Sequence, residues 1–161
     1  MAEPRPVSVV LDGRERSGPA PPRMLLADFL RDELGSTAVH VACEQGGCGA
    51  CAVLLDGRLT LSCLTLAVQA DGATVETADG LARNGELHPI QRAFRAKHGL
   101  QCGFCTPGML MATRALLDAN PRPSDREIRE HLSGNVCRCT GYTGIVAAVR
   151  EAARLLAEER V

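Results

Sequence analysis

Eight cysteines carry the chemistry this sequence can do: Cys43, Cys48, Cys51, Cys63, Cys102, Cys105, Cys137 and Cys139. They form two sets of four, separated by 38 residues without a cysteine. The first set reads C-x4-C-x2-C-x11-C and opens in "CEQGGCGAC", residues 43–51. That spacing is the plant-type pattern for a [2Fe–2S] cluster, in which four thiolates converge on two irons. The chain must then wrap closely around the group. Gly46, Gly47 and Gly49 let the backbone adopt unusual φ angles, and N–H groups brought close to the sulfurs stabilise negative charge and tune potential. An ordinary tight loop explains the glycines but not the four cysteines.

The second set pairs Cys102-x2-Cys105 with Cys137-x-Cys139. Each pair is expected beside a helix end, so two interhelical loops can pinch one metal group. On spacing alone a structural zinc site competes here, although zinc ligand pairs usually have two to four intervening residues and Cys137-x-Cys139 is tighter. Cys102-Gly-Phe-Cys105 alone resembles a redox dithiol, but the second pair argues against that reading. A disulfide framework fits poorly with a chain of this length lacking a secretory leader. His40, His88, His98 and His131 are scattered, and none takes the place of a cysteine, which disfavours a Rieske-type centre. There is no G-x-G-x-x-G or phosphate-loop pattern, and no serine, histidine and acid arrangement stands out.

The elements that must position these residues divide into two parts. Residues 7–11 read as a strand ending at the turn pair Asp12-Gly13, with a short extended piece at 15–17. Leu25, Leu26, Phe29, Leu30 and Leu34 recur at helical spacing, and Gly35 suits the stop. "AVLLDGRLTLSC" reads as a hairpin turning at Asp56-Gly57, which delivers Cys63 from its far end. Residues 73–77 read as one more strand. Beyond a linker at 79–87, residues 88–98 can be helical. Thr106 is expected to cap the next helix, with Pro107 in its first turn, and that helix runs to about Asn120. Ser124 and Glu127 have capping-box spacing for a third helix ending near Gly134. Ile145, Ala148, Val149, Ala152, Leu155 and Leu156 mark the apolar face of a fourth. The expectation is an α+β chain: a small domain of strands around one helix with the first cysteine set over 1–79, then a small helical bundle with the second set over 80–161.

Composition excludes other classes. The net charge is −1 over 161 residues, and aromatics make up 2%, with no Trp. Neither a basic field nor stacking platforms exist for nucleic acid. Hydrophobic residues make up 45%, so the cores must be built from Ala, Leu and Val. No stretch approaches the roughly 18 apolar residues of a membrane span. The N-terminus lacks the apolar region of a secretory signal, and the expected compartment is the cytoplasm.

"CEQGGCGAC", "QCGFCTPGM" and "GNVCRCTGY" together resemble the iron–sulfur subunit of the molybdenum hydroxylases, the xanthine oxidase and carbon monoxide dehydrogenase family. The resemblance spans essentially the whole chain, with the motifs in family order. It implies an N-terminal β-grasp plant-type ferredoxin-like domain and a C-terminal four-helix bundle, each holding a [2Fe–2S] cluster. It also implies an electron-transfer role. Electrons leave a molybdopterin centre, pass through the cluster of Cys102, Cys105, Cys137 and Cys139, then through that of Cys43, Cys48, Cys51 and Cys63, and reach FAD. By the same resemblance Gln101 touches the pterin. Ala42 and Ala52 depart from the family pattern, where Gly and Thr are expected. Since the chain ends at Val161, molybdopterin and FAD are expected on a large and a medium partner subunit, in a dimer of heterotrimers. The alternatives are a freestanding two-cluster electron carrier and a zinc-stabilised interaction module.

Overall fold

Strand β1 (Arg5–Leu11) turns through Asp12 and Gly13 into β2 (Arg14–Ala20), which is seven residues long rather than the short piece expected from its polar sequence. The chain is described over residues 3–159 by a computed structural model. Both turn residues have positive φ, 49° and 81°, the type I′ geometry whose twist matches the flanking strands. The same device recurs at Asp56 (48°) and Gly57 (75°), joining β3 (Ala52–Leu55) to β4 (Arg58–Leu61). With β5 (Thr74–Glu76) these make one five-stranded sheet in the order β2-β1-β5-β3-β4. Its central pair, β1 and β5, is parallel; the others are antiparallel.

Alternation along β1 sends Val7, Val9 and Leu11 into a core with Leu26, Phe29, Leu30, Val53 and Val75. The helix facing them, α1, has one α-turn at Leu26–Asp28 and then widens to π geometry over Phe29–Glu33. The Leu34 N–H accordingly reaches the Phe29 carbonyl, five residues back, at 3.1 Å. The buried residues are the ones the apolar spacing selects; the wider turn is the departure from the expected regular helix.

The second half contributes α2 (Pro89–Ala96), α3 (Thr106–Ala119), α4 (Asp125–His131) and α5 (Thr143–Glu158). Ile90, Phe94, Met109, Met111, Leu117, Ile128, Ile145 and Val149 form their common core. Ser124 caps α4 as expected, accepting from the Glu127 N–H while Glu127 accepts from Ser124. Capping of α2 falls to His88, whose Nδ1 accepts the Ile90 N–H at 3.2 Å. At α3 the expectation shifts by one residue: Cys105 stands at the cap and Thr106 is already helical.

The two halves are packed against each other. Leu54 of β3 joins the helical core, while its neighbour Val53 faces the other one. Helix α3 lies against β3, so both faces of the sheet are covered. The stretch read as a linker opens with a single helical turn, Asp79–Leu81, in which Leu81 is buried. It is tied at its start by Thr77, whose N–H and hydroxyl both donate to Asp12 at 2.7 Å.

Candidate metal centres

The hairpin β3–β4 assembles half of the first cysteine set. Cys51 immediately precedes β3 and Cys63 sits in the turn after β4, and Ala52 is paired with Leu61 across the strands. The Ser62 hydroxyl donates to the Cys51 carbonyl at 2.7 Å and fastens the two ends. Both thiols are buried. Burial pushes the Cys63 thiol up to about 11, helped by the adjacent Cys51 thiol. Cys43 and Cys48 lie across the glycine loop, half-buried. There the Gln45 N–H, then the Cys48 thiol and the N–H groups of Cys48 and Gly47, hold the Cys43 thiol down at about 7. Backbone donors thus already favour a thiolate in this loop.

The second set is also paired two by two. The Sγ atoms of Cys102 and Cys139 are 3.6 Å apart and exposed. The Cys105 thiol is hydrogen-bonded to the buried Cys137, and burial, then that partner, pushes the Cys105 thiol up to about 12. Burial is the largest influence on Cys137 and opposes its ionisation, but the Thr140 hydroxyl, donating to its Sγ at 3.2 Å, together with the N–H groups of Thr140 and Cys139 and the Cys105 thiol, outweighs it and leaves the thiol below its ordinary value.

Four thiolates around one zinc lie at the corners of a tetrahedron, with every sulfur about 3.8 Å from the other three. Here thiol hydrogen bonding links the sulfurs in pairs, Cys43 with Cys48, Cys51 with Cys63, Cys102 with Cys139 and Cys105 with Cys137. Among the described residues no three donor side chains converge on a single ion position. Two thiols for each of two irons is the donor set of a binuclear cluster, and the residues present fit one in each half.

The two halves of the site touch through the backbone. The Val136 N–H donates to the Cys48 carbonyl at 2.9 Å, one residue before Cys137. The Asn135 amide donates to the Gly49 carbonyl at 3.2 Å. Space is so short that a Cβ on Gly108 would lie 2.1 Å from the Gly49 oxygen, and one on Gly49 would lie 2.5 Å from Asn135. Tyr142 closes the Cys137–Cys139 loop. Its hydroxyl accepts the Cys137 N–H at 2.8 Å and donates to the Asn135 carbonyl at 3.1 Å, from a residue held at φ +66°. Gln101 is exposed beside Cys102.

Two family models cover this chain: a 2Fe-2S iron-sulfur cluster binding domain over residues 9–82 and a [2Fe-2S] binding domain over 77–150. The gamma subunit of caffeine dehydrogenase from Pseudomonas sp. (strain CBB1) is 51% identical, covering 89% of this chain and 88% of that one. The small subunit of nicotine 6-hydroxylase from Paenarthrobacter nicotinovorans is 49% identical, covering 91% and 88%. The chain belongs to the iron–sulfur subunits of the molybdenum hydroxylases.

A solved member of this family shares the fold throughout. Quinoline 2-oxidoreductase from Pseudomonas putida 86 superposes with a TM-score of 0.94 at 46% identity, covering 99% of this iron–sulfur subunit and 100% of that chain. The aldehyde oxidoreductase of Desulfovibrio gigas superposes at 0.90 with 40% identity, covering 96% of this chain but 17% of that longer one. No helix of the described residues is long and apolar enough to cross a membrane.

Within the iron–sulfur subunit, the structure pairs the eight cysteines two by two, each pair inside one of the two sets that the spacing separates. What spacing missed is the support around them. Tyr142, Thr140 and Asn135 act through hydrogen bonds to backbone or sulfur and carry no periodicity. Gly108 reads as a helix residue until the neighbouring loop is seen against it. His40 reads as one of four scattered histidines, yet its Nδ1 lies 2.7 Å from the Phe104 carbonyl on the other cysteine loop.

Proposed function

We propose that this chain is the electron-transfer subunit of a heteromeric molybdenum hydroxylase, carrying electrons from a molybdopterin centre on a large partner subunit to FAD on a medium one. The observation that carries this reading is the hydrogen bond from the Val136 N–H to the Cys48 carbonyl, which joins the two cysteine sets through one contact. A relay needs such closeness; two unrelated structural metal sites do not. Cys43, Cys48, Cys51 and Cys63 would hold the plant-type [2Fe–2S] cluster in the domain of residues 1–79. Cys102, Cys105, Cys137 and Cys139 would hold the other, in a four-helix bundle formed by residues 80–161. Each cluster supplies reversible one-electron transfer when bound.

The chain's own contribution is placement and polarity. The glycine loop aims N–H groups at the first set, and the Thr140 hydroxyl points at the second. The Cys102–Cys139 pair lies at the surface, next to Gln101, where the pterin of the large subunit can be met. Large apolar side chains are left in water beside both sets: Leu64 is 59% exposed, Phe104 48% and Val136 53%. Contacts of that kind suit a subunit that works inside an assembly, here a dimer of heterotrimers in the cytoplasm.

The test is purification of the chain with whatever binds it, followed by metal analysis and EPR. Iron and sulfide at two per cysteine set, two distinct S = 1/2 signals on reduction, and co-purifying molybdopterin and flavin chains are expected. Stoichiometric zinc with no signal, or a clustered chain that stays monomeric in the extract, would refute it.

A further inference from the structure

His40 lies outside both cysteine sets, three residues before Cys43, in a stretch without regular structure. The strap that contains it is held from behind by Arg31, whose guanidinium donates to the Val39 carbonyl at 2.6 Å. In front, the His40 Nδ1 meets the Phe104 carbonyl at 2.7 Å, and its ring packs on that of Phe104 with centroids 5.0 Å apart. A carbonyl oxygen only accepts, so Nδ1 carries the proton and the imidazole is the donor. The histidine therefore has a fixed orientation rather than a free one.

The loop it grips has little else. Gln101, Cys102 and Phe104 are exposed. The Thr106 N–H bonds back to Gly103 at 3.1 Å, and Cys102 meets Cys139, both within the helical half. Among the described residues, the His40 bond is the only hydrogen bond from residues 100–104 to the N-terminal half.

We propose that His40 is a positioning residue that fixes the 100–104 loop, with Cys102 and Gln101 on it, against the strap entering the first cysteine set. It sets the spacing of the two centres and the presentation of the exposed thiol pair from across the domain boundary. The donor, not the ring's bulk, is the part that matters. Glutamine can supply an N–H from a side chain of similar reach, whereas leucine keeps apolar contact with Phe104 and supplies none. This inference rests on the reading of the eight cysteines as two cluster sites.

The experiment uses the full chain with its clusters, as His40→Gln, His40→Leu and the unaltered protein. Hydrogen exchange is followed by peptide, together with EPR of the reduced state. Loss of one net hydrogen bond should speed exchange across 100–104 by about fivefold in His40→Leu. Exchange in α5 should not change, and His40→Gln should stay close to the unaltered chain. The EPR signal of the helical-half cluster and its magnetic coupling to the other should change in His40→Leu and recover in His40→Gln. Equal exchange and identical spectra in all three would overturn the proposal, as would equal effects of glutamine and leucine. If the unaltered chain shows no pair of cluster signals, the cluster reading fails, while the exchange comparison still judges His40.

Discussion

Replacing Gly108 by alanine adds one methyl group at the place where the two cysteine sets meet. In a helix interior the change alone would stabilise by about 1 kcal/mol. Here the new Cβ would lie 2.1 Å from the Gly49 oxygen and 3.0 Å from the Ala50 Cα. Ordinary contact with that oxygen needs about 1 Å more, and both partners are backbone atoms in a close-packed region. If the Gly49 loop yields by that amount, it is displaced from residues 135–136 and the Asn135–Gly49 and Val136–Cys48 hydrogen bonds are broken, each contributing about 1 kcal/mol. Overpacking strain adds about 1–3 kcal/mol. The sum, less the helix gain, is a loss of about 2–4 kcal/mol. Urea unfolding followed by far-UV circular dichroism measures it, and the visible spectrum reports the clusters in the same titration. Gly134→Ala is the control, because nothing lies within 4 Å of its Cβ position, and its midpoint should barely move. If Gly108→Ala were as stable as the parent, or more so, the close approach of α3 to the Gly49 loop would be wrong.

Cys48→Ser and Cys139→Ser should each remove about one of the two reduced-state EPR signals; because the bond from Val136 to residue 48 uses only backbone, loss of both from either change would show that the sets are not separate sites. Tyr142→Phe leaves the Cys137 N–H and the Asn135 carbonyl unpaired, and should lower stability by about 1–3 kcal/mol and shift the potential of the helical-half cluster. Burial, then Arg114, lowers the His88 pKa and favours the neutral ring that caps α2. The unfolded chain then binds the proton more readily, so this contribution is full above about pH 6.5 and is lost as pH falls below it. His88→Asn keeps a cap acceptor and should flatten that part of the pH dependence of the unfolding midpoint; an unchanged slope would refute it.

Much of the fold could be read from pattern. The strand of Val7, Val9 and Leu11, the hairpin at Asp56-Gly57 and the helix capped by Ser124 are each specified by residues adjacent in the chain, so local spacing suffices. The π turn in α1 escaped because its apolar residues satisfy regular helical spacing equally well. The one-residue shift at Thr106 escaped because Cys105 and Thr106 both stand just before Pro107, and Thr106 is the residue type that ordinarily caps. The contact between the halves escaped for a different reason. Nothing in "AVLL" says that its two sides are buried by different partners, and Gly108, Asn135 and His40 acquire their roles only from segments distant in sequence. The cysteines were legible because metal chemistry restricts both residue type and spacing, whereas a hydrogen bond to a carbonyl restricts neither.

Strand β3 has a consequence for how such a chain can change. Val53 belongs to the sheet-and-α1 core and Leu54 to the helical one, and Cys51 stands immediately before the strand. Side chains alternate with a period of two, so one inserted residue would exchange the two faces along the rest of the strand. Both cores would be misfilled at once, and Cys51 would lose its registry with Cys63. The four residues from Ala52 to Leu55 thus act as a common spine, along which drift in one half cannot accumulate independently of the other. A change of length in the turns or in the outer strand β2 would leave that count intact.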